Sequence, residues 1–109
     1  MNVSAVNDTL RGFTALRRLT FETLDGCSTY ALRLDLAESE SARALTLSVT
    51  FEDVSNLRLF DFGGGLTQIM YLNVVDIRDR QLDRACFEVS DHERQAISFA
   101  CRSIRTAST

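Results

Sequence analysis

The sequence predicts a mainly β fold: seven antiparallel strands forming a sandwich or a strongly curled sheet, with a short helical turn near the N-terminus. Three observations carry this expectation. Apolar and polar residues alternate with a period of two from about residue 17 onward, as in strands with one buried and one wet face. Turn-forming stretches recur about every ten residues, the spacing of an all-β sandwich. Finally, the chain has 109 residues and is 45% hydrophobic, enough to bury a core without disulfides or a metal. A partly open barrel satisfies the same pattern. Nothing divides residues 1–109 into more than a single β domain. Residues 1–8 and 103–109 are small and polar, and are expected to be mobile.

Taken in order, residues 8–18 are ambiguous. Asp8 suits the N-cap of a short helix carrying Leu10, Phe13 and Leu16, but Gly12 would weaken it. One helical turn or a loop over an open end of the core is expected. Residues 17–36 read as a hairpin around Asp25-Gly26, a pair suited to a two-residue turn with positive φ at both positions. That turn would set Leu24 opposite Cys27, Phe21 opposite Tyr30 and Leu19 opposite Leu32. After the polar loop 37–43, strand 44–51 should point Leu45, Leu47, Val49 and Phe51 inward. A turn at 52–56 leads to a short strand over 57–62. Gly63, Gly64 and Gly65 break it, as a flexible loop or as a bulge where backbones pass closely.

Residues 67–77 are apolar on both faces and read as a central strand in which Asn73 needs a buried partner. The charged stretch 78–84 turns the chain. A final hairpin joins 85–89 to 96–104 around 90–95. In it Ile97, Phe99 and Cys101 share one face, while Cys86 opposes the Ala85, Phe87 and Val89 face. Cys101 then fills the core and Cys86 is a half-exposed thiol that cannot bridge to it.

Composition excludes several function classes. The net charge is −3, and a nucleic-acid binder would instead cluster cations against phosphates. All twelve basic residues are Arg, and their scattered positions fit codon bias better than selection for bidentate contacts. The start of the chain lacks the basic and apolar regions of a signal peptide, and no run approaches a membrane span. With three cysteines and no CxxC pair, a cytoplasmic protein with reduced thiols is expected.

Catalytic and metal-binding groups are sparse. His92, the single histidine, has no second histidine at ligand spacing, and Asp91 and Glu93 beside it on a turn would diverge. Nothing would orient its imidazole toward Cys86 as a nucleophilic pair requires. Asp61-Phe62-Gly63 matches a kinase tripeptide without the other kinase motifs. The triple glycine lacks the Lys-Ser/Thr of a phosphate loop. No cofactor, no metal and no enzyme activity are expected.

Two features remain as binding candidates. Arg78, Asp79, Arg80, Asp83 and Arg84 form the densest charged run, either a solvated turn or a recognition edge for a protein partner. Gly63, Gly64 and Gly65 are a candidate ligand loop. The acidic Glu38-Ser39-Glu40 reads as a solvated loop.

The order of Phe51, Val54, Leu57 and Leu59, then Val75-Asp76-Ile77, then Glu88-Val89, Asp91, Glu93, Ile97-Ser98-Phe99 and Cys101 resembles that of small bacterial β proteins. Some of these are immunity proteins, which bind and neutralise a toxin made by the same or a neighbouring cell. The resemblance spans residues 51–104 and implies a protein toxin as partner, without assigning a site. The expected function is therefore a non-enzymatic interaction protein. The alternatives are a self-assembling module, dimerising through an edge strand, and a small-ligand binder using the glycine loop.

Overall fold

A computed structural model describes residues 2–24, 26, 28–65, 71–80, 85–91 and 96–108. Helix α1 (Val3–Leu10) is followed by strands β1 (Ala15–Thr23), β2 (Tyr30–Ala37), β3 (Thr46–Glu52), β4 (Ser55–Leu59), β5 (Leu72–Asp76), β6 (Phe87–Asp91), β7 (Ile97–Cys101) and β8 (Ser103–Ser108). A 3-10 turn at Arg78–Arg80 lies between β5 and β6. The strands make two antiparallel sheets, ordered β1-β2-β3-β8 and β4-β7-β6-β5.

The two sheets are halves of one folded ladder. β3 runs into β4 through Asp53 and Val54, and β7 runs into β8 through Arg102. Pairing survives the bend: the register that sets Glu52 opposite Ser103 also sets Ser55 opposite Ala100. Arg102 donates its amide to the Glu52 carbonyl at 2.9 Å, inside the bend itself. Asp53 adopts a left-handed φ of 56° there, a conformation that Asp tolerates better than most residues. Strands that switch sheets at such corners are how a sheet curls over its own core. The strongly curled sheet expected from the sequence is thus present. It has eight strands because the segment expected as one strand over 96–104 is divided at Arg102.

The concave side of this ladder is the core. Leu32, Leu34 and Leu36 of β2 and Leu47, Val49 and Phe51 of β3 face Leu72, Val74, Phe87, Val89, Ile97, Phe99 and Cys101. Phe51 and Phe99 meet edge to face, with centroids 4.7 Å apart. Cys101 is buried and Cys86 partly so, as expected, although Cys86 precedes β6 and also packs against the core.

Several expectations are corrected. The first hairpin is slipped by two residues from a two-residue turn: Thr23 faces Tyr30, Phe21 faces Leu32 and Leu19 faces Leu34. Leu24 donates to the Thr29 carbonyl at 3.0 Å, so the loop is longer, although Gly26 does take a φ of 69°. Asp25 and Cys27 lie outside the described residues. Packing explains the slip. A two-residue turn would set Arg17 opposite Leu34, inside the core. In the observed register a bulge between Leu16 and Arg18 brings Leu16 opposite Leu36. The extruded Arg17 donates to the carbonyls of Ser39 and Ser41 at 3.2 and 2.7 Å. Beyond the bulge, a slip of two keeps the side chains of Leu19–Thr23 on their predicted faces.

Leu45, expected to point inward, precedes β3 and is 60% exposed. β5, expected to be central, is the edge of its sheet, and residues 66–70 lie outside the described set. Asn73 accordingly is half exposed on the outer face instead of buried. The apolar character of this segment has another cause: α1 packs along it. Regular elements, α1 and β8, stand near both chain ends.

Asn2, not Asp8, caps α1, accepting from the Ala5 amide at 3.2 Å. Val3, Val6 and Leu10, at helical spacing, pack on the core. From the same helix the Asn7 amide group donates to the Val74 carbonyl at 3.0 Å and accepts from the Val74 N–H at 2.7 Å. One side chain thus stands in for a neighbouring strand and covers an edge that would otherwise expose unpaired backbone.

Candidate partner-binding face

Because Phe87, Val89 and Asp91 of β6 and Ile97, Phe99 and Cys101 of β7 point inward, the residues between them form the convex face of the second sheet. The register aligns these in two rows. Arg58, Ser98, Ser90 and Asn73 make one, and Ser55, Ala100, Glu88 and Val75 the other. Ser98 and Ser90 occupy the middle of the first row between the longer Arg58 and Asn73, and Ala100 lies between Ser55 and Glu88 in the second. The result is an open depression of about 290 Å³ with Asn56, Arg58, Glu88, Ser90, Ser98 and Ala100 in its lining. Asn56 sits at a bulge in β4 with a φ of 56°, which bends the margin of the face. Val75 is 40% exposed on it, and Phe60, two residues beyond Arg58, is 67% exposed.

The charged turn adjoins this face. Arg80 pairs with Glu88 at 3.0 Å. Arg78 pairs with Asp76 at 2.6 Å and lies 5.8 Å over the Phe87 ring. Hydrogen bonding from the Arg78 side chain, and then from its backbone, holds the Asp76 carboxyl below its usual range. Asp79 is exposed at the same turn. Of this turn Arg80 reaches Glu88, Arg78 is held on Asp76 and Phe87, and Asp83 and Arg84 lie outside the described residues. Arg58 has no ion-pair partner among the described residues.

The convex face of the first sheet differs. Away from the β1 edge its charges bind one another: Arg33 pairs with Asp35, which also accepts from Ser48, and Arg105 pairs with Glu52, which also accepts from Ser103. These central groups are tied to one another, whereas Arg58 on the second face has no ion-pair partner among the described residues.

The other sequence candidates fall elsewhere. Gly63, Gly64 and Gly65 are exposed at φ values of 99°, 77° and 135°, and a Cβ on any of them would meet open space. They serve a turn at positive φ, and no close backbone passage is seen there among the described residues. Glu38 closes the β2–β3 connection, its amide donating to the Leu45 carbonyl and its carboxylate accepting from the Leu45 amide. His92 and Glu93 lie outside the described residues.

Sequence reading missed Arg58, Glu88, Ser90 and Ser98 as a set. Glu88, Ser90 and Ser98 are outward residues of the last hairpin, and only the strand register brings Arg58 of the distant β4 beside them. The usable signal was the run of small outward residues in the last hairpin.

The model of the family Immunity protein PIM8 matches residues 9–106. The chain belongs to this immunity protein family. No curated protein and no solved structure matches it. The family match contains the whole 51–104 segment on which the resemblance rested and extends through the first hairpin. Among the described residues of this PIM8 protein, no helix is long and apolar enough to cross a membrane.

Proposed function

We propose that this PIM8 protein is a non-enzymatic toxin antagonist. It acts in the cytoplasm, binding a protein toxin through the convex face of the second sheet. Membership of an immunity protein family, over nearly the whole chain, is the observation that carries the reading. The geometry supports the choice of face. A shallow depression floored by Ser and Ala admits protruding side chains, and exposed Phe60 and Val75 supply apolar anchors. Arg58 and the Arg80–Glu88 pair offer charge of both signs at its margins. Arg and aromatic residues are the types enriched where binding energy concentrates. The pairs Arg78–Asp76 and Arg80–Glu88 are exposed to solvent and contribute little to folding, so they exchange partners at little cost.

Capture from the source cell's lysate with tagged protein, read by mass spectrometry, tests this. One stoichiometric protein is expected, toxic when expressed alone. Arg58→Glu should weaken its capture by about thirty-fold or more, matching the loss of a residue worth about 2 kcal/mol. An equivalent surface change on the first sheet, Arg105→Glu, should leave capture unchanged. Equal capture by wild type and Arg58→Glu would remove the site from this face.

A further inference from the structure

β1 is the outermost strand of the first sheet, and among the described residues nothing pairs with its outer side. The backbone groups it presents can be identified. Leu24 donates across to Thr29 in the same register as the strands, so Leu24, Glu22, Thr20 and Arg18 direct their backbone N–H and C=O groups toward β2. Thr23, Phe21 and Leu19 therefore direct theirs outward. At the far end of the strand the Arg17 bulge interrupts this edge, and its guanidinium is held by the Ser39 and Ser41 carbonyls. The edge available for pairing is thus a short one, Arg18–Thr23.

That edge is complementary to itself. Place a second copy antiparallel with the two-fold axis at Thr20. Leu19 of one copy then faces Phe21 of the other, as the hydrogen-bonded pair that their outward backbone groups require. On the convex side Arg18 faces Glu22, twice. Neither Arg18 nor Glu22 has an ion-pair partner within the chain among the described residues. The neighbouring two-fold registers, moved by one residue in either direction, lose the Arg18–Glu22 pairs. On the concave side Phe21 stacks on Tyr30 with centroids 4.6 Å apart, yet the two are 41% and 44% exposed. A partner strand brings its Leu19 against this aromatic pair.

We infer that β1 pairs with β1 of a second copy of this chain, centred on Thr20 and held in register by reciprocal Arg18–Glu22 pairs. The contact is isologous and consumes both edges, so it stops at a dimer. It joins the first sheets of the two copies and leaves the convex face of each second sheet open, so it stands whether or not that face binds a toxin.

Sedimentation analysis of the full chain tests the pairing. Wild type is expected to sediment as a dimer. Arg18→Glu and Glu22→Arg each set like charges opposite one another twice, and should each raise the dimer dissociation constant by at least about tenfold. An equimolar mixture of the two variants places every Glu opposite an Arg, and should recover the dimer. Denaturation midpoints close to wild type show that both variants are folded. A monomeric wild type would overturn the inference, as would single variants that stay dimeric or a mixture that does not recover.

Discussion

At Gly26 the backbone enters a left-handed conformation in open space, so the cost of a side chain there is conformational, not steric crowding by neighbours. Gly26→Val should destabilise the protein by more than about 1 kcal/mol, since a β-branched residue resists positive φ. An unchanged urea midpoint would contradict this. The importance of this glycine was legible in the sequence, but the register it was taken to impose was not. The misreading came from ranking a turn preference above the cost of setting Arg17 against Leu34. Cys101 is buried and Cys86 only partly so. Cys86 should react with a native-state thiol reagent much faster than Cys101, and equal rates would refute the assigned faces. Burial pushes the Cys101 thiol from 9.0 up to about 12, so the folded state keeps its proton where the unfolded chain has lost it. Its contribution to stability is complete below pH 9 and declines as pH rises toward 12. The stability gap between wild type and Cys101→Ala should therefore narrow across that alkaline range, and a gap that holds constant would contradict the shift.

Among the elements, α1 owes its position to one side chain. Asn7 makes both hydrogen bonds to Val74 at the edge of β5, and Val3, Val6 and Leu10 seat the helix beside it. Asn7→Ala should cost about 1–3 kcal/mol, because two half-buried backbone groups lose their partner. The Val74 amide should also exchange with solvent markedly faster. Unchanged protection at Val74 would mean that the helix does not cover this edge. No pattern in the sequence announces such a contact: Asn7 is polar, lies in a segment that reads as a loose end, and meets β5 only after the fold has closed. The apolar run around β5 was legible but assigned to a central strand, because burial under a helix and burial between strands leave the same composition. Strands 46–52, 87–91 and 97–101 were readable with their faces, since alternation alone decides them.

The whole molecule is a bent ladder whose concave side is filled by its own core and whose convex sides face solvent. The curl was legible from strand number and turn spacing. The division into two convex faces was not, because it depends on bends at Asp53 and Arg102, where no glycine or proline marks the chain. The candidate site was legible only in part. Arg78, Asp79 and Arg80 stood out as a linear charge cluster, whereas Arg58 joins them through strand register. The proposed toxin antagonist rests on membership of the PIM8 family, and the proposed surface on the depression of the second sheet. Protection of growth tests this most directly: the toxin captured by the protein is expressed with the wild-type chain or with Arg58→Glu. Wild type should restore growth and the folded variant should not. Failure of the wild-type chain to protect would contradict the toxin-antagonist reading, and equal protection by Arg58→Glu would contradict the face assigned to it.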